Sequence, residues 1–330
     1  MILLEPLYSH TKSGEPEAVP ATASAAIPHV NLLLDDYPNA GHAYIYAAQI
    51  NGYFRDEGLV VDILLPNSSL GDPLASVAAG GADVALVHGP ELLLARDRQL
   101  PVRSIAAIVK RPLTYVAVEQ ASPIHSAKHL IGKKIGYAGK PYYEAIIRQM
   151  LRQADADYSE ADLVDIGSSI DYAKHFEDGM DALIGPTLHR DRFLLERKHV
   201  RIRLIEPMLS KVPAYYELVL AAEEQAVEAD PDRYKKLWRA LQRGQQYVEE
   251  HPQEAIEFVM RRQSVLRPLD EEVELEALRL LLSFEESEEL SFGQQHKNIW
   301  SDTEKWLHDV EMIGDDTRGE DAFTNVIIEE

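Results

Sequence analysis

One short stretch, residues 35–42, gathers several side chains that can bind a small molecule. Asp35, Asp36, Tyr37, Asn39 and His42 offer carboxylate and amide oxygens, an imidazole and an aromatic ring. The stretch also contains a proline and a glycine, which indicates a loop and not the interior of a helix or strand. It therefore predicts one wall of a small-molecule pocket.

The elements on either side place this loop. The apolar run that ends at Leu34 predicts a short buried strand of a parallel sheet. A helix is predicted after the loop, with Tyr46, Ile50 and Tyr53 along one face. Because ligands bind to open α/β sheets outside the carboxyl ends of the strands, the loop is expected at a ligand-binding edge.

Two residues of this loop also have a structural explanation. Asp35 can cap the following helix instead of meeting a ligand, and a single histidine such as His42 is often part of a core. We predict that Asp36, Tyr37, Asn39 and His42 contact the ligand.

A second candidate pair follows the strand predicted over residues 82–87. His88 and Glu91 lie beyond the carboxyl end of this strand, where a carboxylate can accept hydrogen bonds from ligand amino groups. The alternative for Glu91 is that it opens a helix, since the macrodipole favours an acidic residue in the first turn. Both residues are predicted to bind the ligand.

Further candidates come from three later segments. Residues 138–144 lead into a helix whose free backbone N–H groups can bind an anion or a carbonyl oxygen, with Lys140 adding charge. His189 lies in the loop of a later strand, and one of Tyr215 and Tyr216 is expected to face the pocket. The residues predicted to bind ligand in these segments are Tyr115, Tyr142, Tyr143, Glu144, Thr187 and Tyr216.

Short apolar runs alternate with amphipathic segments, which predicts an α/β fold with mainly parallel sheets. The chain after residue 231 is predicted to be helical, with prolines at helix starts. Two lobes joined by two crossings bind ligand between them and close by a hinge motion. The predicted division is a disordered tether over 1–28, lobe 1 over 29–116 and 214–330, and lobe 2 over 117–213.

The composition excludes several classes of function. The 330 residues carry a formal net charge of −22 and no cysteine. This argues against nucleic acid as a partner and excludes disulfides, thiolate metal sites and a cysteine nucleophile in this sequence. No apolar run approaches the ~18 residues of a membrane span. The acidic pairs at 271–272, 285–286 and 288–289 are expected to form solvated helix faces.

No catalytic or metal-binding constellation is recognisable. The predicted pocket loops have neither His-x-x-x-His nor Glu-x-x-His spacing, and Ser68 and Ser69 have no recognisable partner base. A Gly-x-Ser-x-Gly elbow is also missing. We therefore expect no enzyme activity, no cofactor and no metal.

A series of motifs runs through residues 30–310. The motifs are Leu34-Asp-Asp-Tyr-Pro-Asn-Ala-Gly-His42, Gly52-Tyr-Phe-Arg-Asp-Glu-Gly-Leu59, Ala79-Gly-Gly-Ala-Asp83, Gly132-Lys-Lys-Ile-Gly-Tyr137 and Val212-Pro-Ala-Tyr-Tyr-Glu-Leu-Val219. The series resembles the ABC-transporter substrate-binding proteins for thiamine pyrimidine precursors, including the formylaminopyrimidine-binding proteins. The resemblance implies a bilobal, periplasmic-binding-protein-like fold, an aminopyrimidine-like ligand and an ABC permease in the membrane as partner.

The resemblance also shows departures. The hydroxymethylpyrimidine phosphate synthases of the same branch use a histidine, a lysine and a cysteine-rich iron motif. Here Glu91 takes the histidine position, the lysine position falls near Val87, and there is no cysteine. Asp36 stands where the binding proteins have a tryptophan that stacks on the ligand. Either Tyr37, Tyr142 or Tyr143 replaces that stack, or Asp36 meets a cationic or amino-bearing ligand.

We therefore predict a solute receptor of an ABC importer that captures a small nitrogen heterocycle by hinge closure. The alternatives are a pyrimidine-synthesising enzyme and an intracellular ligand sensor on the same fold. An extracytoplasmic location is expected, either periplasmic or tethered to the membrane as a lipoprotein.

Overall fold

The computed structural model of the chain describes residues 27–66, 71–167, 171–265, 267–286 and 290–328. Several predictions lie outside these residues. They are most of the tether predicted over 1–28, the pair Ser68 and Ser69, and the acidic pair 288–289.

Ten strands in these residues form two five-stranded sheets. We call the part of the chain built on the first sheet lobe 1 and the part built on the second sheet lobe 2. The first sheet contains β1 His29–Leu33, β2 Val60–Leu64, β3 Val84–Val87, β4 Val102–Val109 and β10 Leu218–Glu223. The second sheet contains β5 Thr114–Glu119, β6 Lys134–Tyr137, β7 Asp162–Asp165, β8 Ala182–Thr187 and β9 Ile202–Ile205.

Both sheets are mainly parallel, and each contains one strand that is antiparallel to its neighbours. The strand orders are β2-β1-β3-β10-β4 and β7-β6-β8-β5-β9. β10 is antiparallel to β3 and β4, and β5 is antiparallel to β8 and β9. Each of these two strands begins where the chain arrives from the other lobe. It therefore enters at the edge where the parallel strands end and runs away from it.

The crossings between the lobes lie at residues 110–113 and 206–217. β5 begins at Thr114 and pairs with β8 and β9 of the second sheet. The predicted lobe boundary at residue 117 therefore falls inside a strand. The apolar run from Leu113 to Val118 predicts a strand or an extended crossing equally well, and only the pairing partners distinguish the two.

Twelve helices cover the sheets within the described residues. Those of the sheet regions are α1 Ala43–Ile50, α2 Tyr53–Asp56, α3 Pro73–Ala78, α4 Gly89–Asp97, α5 Pro141–Gln153, α6 Tyr172–Glu177 and α7 Asp191–Arg197. Those after β10 are α8 Glu224–Ala229, α9 Pro231–Glu250, α10 Pro252–Met260, α11 Glu271–Glu286 and α12 Lys297–Asp309. The helical C-terminal part is confirmed.

Local sequence explains where several of these helices begin. Asp72 precedes α3 and its side chain accepts a hydrogen bond from the Ala75 backbone N–H, while Pro73 occupies the first helical position. Asp230 caps α9 in the same way, followed by Pro231. Proline is tolerated there because the first N–H groups of a helix have no partner within it.

The core of lobe 1 is apolar on both faces of its sheet. All four residues of β3 are buried, as a parallel strand covered on both sides requires. Helix α9 packs against α1 with a buried face that includes Tyr234, Leu237, Trp238 and Leu241. The packing fixes α1 and, with it, the loop 35–42 that precedes the helix.

Candidate functional site

The carboxyl ends of the parallel strands in the two sheets face each other across a cleft of about 610 Å³. Loops that follow β1, β3, β6 and β8 line it, together with the start of β10. Its volume falls in the range of small-molecule sites, roughly 300–1,000 Å³. A ligand there would contact both lobes.

Seven of the twelve residues that the sequence predicts as ligand contacts line this cleft. These seven residues come from both lobes, so the structure brings together loops that are far apart in the chain. They are Asp36, Tyr37, Asn39, His42, His88, Tyr143 and Thr187. Their contact with a ligand stays a prediction.

The other five predicted residues do not line the cleft. Tyr142 is fully buried behind Tyr143, and its ring centroid lies 4.5 Å from that of Tyr143. Glu144 pairs with Arg148 on the outer part of α5. Tyr115 is half-buried on β5.

Tyr216 and Glu91 are also placed elsewhere. Tyr216 is 2% exposed, and its hydroxyl accepts a hydrogen bond of 2.7 Å from the His296 backbone N–H. Tyr215 is equally buried, so neither tyrosine of the pair faces the cleft. Glu91 lies in α4 beside a smaller cavity of about 100 Å³ that adjoins the cleft at Asp35 and Lys140.

The loop 35–42 is held by its own hydrogen bonds. His42 is 1% exposed; its Nδ1 accepts from the Asn39 backbone N–H at 3.2 Å, and its Nε2 lies 2.8 Å from Asp35 Oδ1. Because Nδ1 accepts, the ring proton is on Nε2 and is donated to Asp35. Asn39 also caps the short 3₁₀ helix Ala40–His42 through Gly41 N–H. His42 therefore has the structural role that the sequence left open, at the cleft wall.

The Asp35 carboxylate is stabilised in its charged form. Burial raises its pKa, but the hydrogen bond from His42, with His88 and Lys140 nearby, lowers the pKa to about 2. The shift from 3.8 corresponds to about 2 kcal/mol of stability. A depressed carboxyl pKa stabilises the fold above the unfolded pKa, and the contribution is lost as the pH falls through the folded pKa.

Asp35→Asn is therefore expected to lower the free energy of unfolding by about 2 kcal/mol at pH 7. The difference from wild type should shrink between pH 4 and pH 2. Urea unfolding at several pH values measures it, with Asp302→Asn on an exposed face of α12 as control. A difference that stays constant down to pH 2 would contradict the assigned charge.

Asp36 has a cation from its own chain. Arg267 Nη1 lies 3.2 Å from Asp36 Oδ1, and its guanidinium lies 4.4 Å from the centre of the Tyr37 ring. The three side chains form a stacked, charge-compensated surface on the cleft wall. The carboxylate that replaces the expected tryptophan is therefore paired within the protein.

Lobe 2 contributes the loop after β8. Asp191 Oδ2 accepts hydrogen bonds from the Thr187 backbone N–H at 2.7 Å and from the Thr187 hydroxyl at 2.8 Å. Burial raises the pKa of Asp191, while burial and the charge of Arg190 lower the pKa of His189 to about 4. His189 is thus neutral at pH 7, and its buried Nδ1 has no hydrogen-bond partner among the described residues. The neutral imidazole ring of His189 lines the cleft.

The loop before α5 completes the wall of lobe 2. Gly139 has a φ of 67°, which turns the chain into the helix, and Lys140 occupies the N-cap position. Lys140 Nζ lies 3.3 Å from Glu91 Oε2, so this ion pair joins the two lobes. Although burial lowers the pKa of Lys140, the charges of Glu91 and Asp35 raise it above its ordinary value.

Glu217 is a buried carboxylate at the second crossing, and it lines the cleft. Its oxygens accept from the backbone N–H groups of Leu113 at 2.6 Å and Thr114 at 3.3 Å. They also accept from the Tyr142 hydroxyl at 3.1 Å, and His88 Nδ1 lies at 3.2 Å. One side chain thus connects both crossings with both walls of the cleft.

Several cleft residues were not among the predicted contacts. A buried carboxylate at a crossing cannot be recognised from the strand-like sequence around Glu217, and no local pattern distinguishes Arg267 from a surface residue. The sequence points to Asp35, Lys140 and His189, but none of them is among the twelve predicted contacts. The cleft residues with polar side chains that the prediction missed are Asp35, Lys140, Tyr172, His189, Arg190, Asp191, Glu217 and Arg267.

Among the described residues, no group of three or more histidine, aspartate or glutamate side chains is arranged to hold a metal ion. In the same part of the chain, none of the helices combines the length and the apolar character needed to cross a bilayer.

The two lobes and the cleft between their sheets define the periplasmic-binding-protein-like fold. The solved structure of the periplasmic aliphatic sulphonate binding protein SsuA from Escherichia coli superimposes with a TM-score of 0.68. The match covers 89% of this chain and 91% of SsuA at 10% sequence identity. The predicted fold is confirmed.

The chain belongs to the NMT1/THI5-like family, whose model matches residues 39–255. It is 34% identical over 307 residues to the formylaminopyrimidine-binding protein of Halalkalibacterium halodurans, covering 93% of this chain and 92% of that protein. It is 27% identical over 241 residues to the 4-amino-5-hydroxymethyl-2-methylpyrimidine phosphate synthase of Legionella pneumophila, covering 72% and 75%.

Proposed function

We propose that this protein is the solute receptor of an ABC importer and that its ligand is a thiamine pyrimidine precursor such as formylaminopyrimidine. The observation that carries the proposal is a cleft lined from both lobes in a chain that is 34% identical over nearly its whole length to a formylaminopyrimidine-binding protein. The ligand chemistry fits, because an aminopyrimidine has ring nitrogens and amino groups that need neutral and anionic partners.

The groups of the cleft match such a ligand. Tyr143 lines the cleft and offers a ring face, and His189 offers an imidazole nitrogen without a protein partner in the described residues. Thr187 and Asp191 supply oxygen atoms on the same wall. The Tyr37 ring carries the guanidinium of Arg267, so we assign the stacking role to Tyr143 and not to Tyr37.

We propose that binding works through closure. The chain passes between the lobes at 110–113 and 206–217, and ligand contacts from both sides would stabilise the closed arrangement. A ligand shifts such an equilibrium only by its higher affinity for the closed form. The permease partner would recognise that form, which places the protein outside the cytoplasm, either periplasmic or tethered as a lipoprotein.

The family supports the alternative hypothesis of a pyrimidine-synthesising enzyme, but the residues at the expected catalytic positions of this chain oppose it. The Legionella relative is an enzyme, but in this chain Glu91 is engaged with Lys140 and the sequence has no cysteine. We therefore propose a binding protein without catalytic activity, cofactor or metal.

Calorimetry and thermal unfolding with formylaminopyrimidine test the ligand. At about 100 times Kd, a ligand adds about 2.7 kcal/mol to the free energy of unfolding, and the melting temperature should rise by several degrees. His189→Leu should weaken binding by about tenfold through loss of one hydrogen bond. The exposed His125→Leu is the matched control and should bind as wild type.

The comparison ligands are thiamine, hydroxymethylpyrimidine and an alkanesulphonate. The proposal fails if no pyrimidine raises the melting temperature while another class does. Release of a hydroxymethylpyrimidine phosphate product in the presence of pyridoxal phosphate and iron would establish the synthase alternative.

A further inference from the structure

Four ion pairs in the described residues join the lobes across or beside the cleft, and they share one polarity. The cation belongs to lobe 2 and the carboxylate to lobe 1 in each of them. The pairs are Lys140 with Glu91 at 3.3 Å, Arg190 with Glu274 at 2.9 Å, and Arg197 with both Asp270 at 2.7 Å and Glu272 at 2.6 Å. These contacts exist only while the lobes are close together.

The pair of Arg190 and Glu274 differs from the others in its burial. The Glu274 side chain is 1% exposed and that of Arg190 is 12% exposed, whereas the side chains of Arg197 and Asp270 are 49% and 34% exposed. Exposed pairs contribute little because water and salt screen them. A buried pair is different: separating it leaves an uncompensated charge unless water enters.

Glu274 also holds the cleft loop of lobe 1. Its Oε2 accepts a hydrogen bond of 2.8 Å from the Ala40 backbone N–H, and its Oε1 accepts one of 2.9 Å from Arg190 Nε. Ala40 lies between Asn39 and Gly41, and both of these neighbours line the cleft. The carboxylate of α11 therefore connects the loop 35–42 with the loop that contains Arg190.

On the side of lobe 2, Arg190 is equally close to the cleft. It lies between His189 and Asp191, and all three line the cleft. The charges of Glu274 and Asp191 raise the pKa of Arg190 despite the opposing effect of burial. A ligand that orders the loop 187–191 would thus also place Arg190 against Glu274, and the ion pair would in turn hold the ligand contacts in place.

We infer that Glu274 is a positioning residue for ligand binding: through Arg190 and the Ala40 N–H it fastens the two cleft loops to each other and stabilises the closed form. The expected effect on ligand binding rests on the proposed receptor function, whereas the expected effect on the distance between the lobes does not. The Glu274 side chain does not line the cleft, so its effect on the ligand passes through the two loops that it contacts.

The substitution Glu274→Gln separates this role from a purely local one. The glutamine oxygen can still accept from the Ala40 N–H, so the 3₁₀ helix Ala40–His42 keeps its bond, but the charge that faces Arg190 is lost. Arg190→Gln removes the other partner. Glu276→Gln is the matched control, because Glu276 lies on the same helix and pairs within it, with Arg279 at 2.7 Å.

The absence of cysteine from this sequence allows the conformation to be measured directly. Lys174→Cys in α6 and Gln242→Cys in α9 place one exposed thiol on each lobe for spin labels. The distance distribution between the labels is recorded by pulsed electron paramagnetic resonance, with and without formylaminopyrimidine. Circular dichroism and thermal unfolding first establish that each variant is folded.

Without ligand, Glu274→Gln and Arg190→Gln should each move the distribution away from that of ligand-saturated wild type, while Glu276→Gln should match wild type. Glu274→Gln and Arg190→Gln should each weaken ligand binding about tenfold, mainly through faster dissociation. The double variant should lose no more than either single variant, because both remove the same interaction.

Unchanged label distances in both variants would overturn the inference, as would additive losses in the double variant. If wild type binds no pyrimidine, the proposed ligand fails, and the distances measured without ligand still decide whether Glu274 and Arg190 hold the lobes together. If a glutamine variant does not fold, the Arg190→Lys variant, which retains charge but not the guanidinium geometry, replaces it and should give a smaller shift of the same kind.

Discussion

Glu217→Ala is expected to lower the free energy of unfolding by about 3–5 kcal/mol, the range for removing one partner of a buried charged network. The carboxylate is 4% exposed, and the substitution leaves the N–H groups of Leu113 and Thr114 without their acceptor. Each unsatisfied buried donor costs about 1–3 kcal/mol. Urea unfolding of the intact chain measures the loss.

Glu217→Gln should also destabilise the protein, although it preserves the shape of the side chain. The groups around Glu217 in this network are donors: two backbone N–H groups, the hydroxyls of Thr114 and Tyr142, and the ring of His88. A glutamine can keep its oxygen on the two backbone N–H groups, but its NH₂ group then replaces Oε1, so the two hydroxyls and the His88 ring must change from donors to acceptors and the negative charge is lost. We expect the free energy of unfolding of Glu217→Gln to lie between those of wild type and Glu217→Ala.

The matched control is Glu206→Ala on the same crossing. Glu206 is half-buried, precedes a 3₁₀ helix and makes no side-chain capping bond. Its loss should change the free energy of unfolding by less than about 1 kcal/mol. Equal effects of the two substitutions would show that the Glu217 network does not hold the crossings together.

The effect of Glu217 depends on pH with a defined sign. Burial raises its pKa, but His88, the Leu113 N–H and the Thr114 hydroxyl outweigh burial, and the pKa lies below its ordinary value of 4.5. A depressed pKa means that the stabilisation is complete above the unfolded pKa and disappears as the pH falls through the lower folded pKa. The difference between wild type and Glu217→Ala should therefore narrow in acid.

The ligand-bearing loops could be predicted from sequence because they depend on local signals. Continuous apolar runs mark buried parallel strands, and proline and glycine mark the loops after them. Residues that end such strands share one edge of the sheet. This is why Asp36, His88, Tyr143 and Thr187, predicted from four separate strands, lie in one cleft.

The orientation of side chains at the second crossing could not be predicted in the same way. Tyr216 was expected in the cleft, but Gly89 donates its N–H to the Tyr216 carbonyl at 3.0 Å and the side chain turns into the core. Glu217 faces the cleft instead, where it accepts hydrogen bonds from the N–H groups of Leu113 and Thr114. These partners lie more than one hundred residues earlier in the chain, so no local pattern reveals the contact. A shift of one residue exchanges the two faces of a strand.

Arg267 shows the same limit more strongly. Its partner Asp36 is 231 positions away in sequence, and the arginine lies in the connection between α10 and α11. The position of the connection depends on how the C-terminal helices pack on lobe 1. Sequence alone therefore identified the unusual Asp36 but not the cation that compensates it.

Gly244→Ala should have the second largest effect on stability, a loss of about 3 kcal/mol at the upper end of the usual range for overpacking. A Cβ atom at this position would lie 2.1 Å from the backbone carbonyl oxygen of Tyr44 and 3.1 Å from the Ala48 Cβ. The nearest atom belongs to backbone, so the clash is relieved only if α1 and α9 move apart. Alanine favours a helix over glycine by only about 0.5–1 kcal/mol, which does not offset this cost.

The same substitution should reach the cleft. Helix α1 begins directly after His42, so a displacement of α1 moves the loop that holds Asp35, Asn39 and His42 at the cleft wall. Ligand affinity should therefore fall together with stability. Gln242→Ala on the exposed face of the same helix is the control and should leave both unchanged or slightly raise helix stability.

Thermal unfolding and calorimetry on the same samples separate the two consequences. A loss of stability without a loss of affinity would mean that the loop 35–42 is held by its own Asn39 and His42 bonds and by Glu274, independently of the position of α1. A loss of affinity in Gly244→Ala that Glu274→Gln does not deepen would instead show that both act on one feature, the placement of the loop 35–42 relative to Arg190 of lobe 2. The energetic coupling between these two substitutions thus identifies which contact positions the cleft loop.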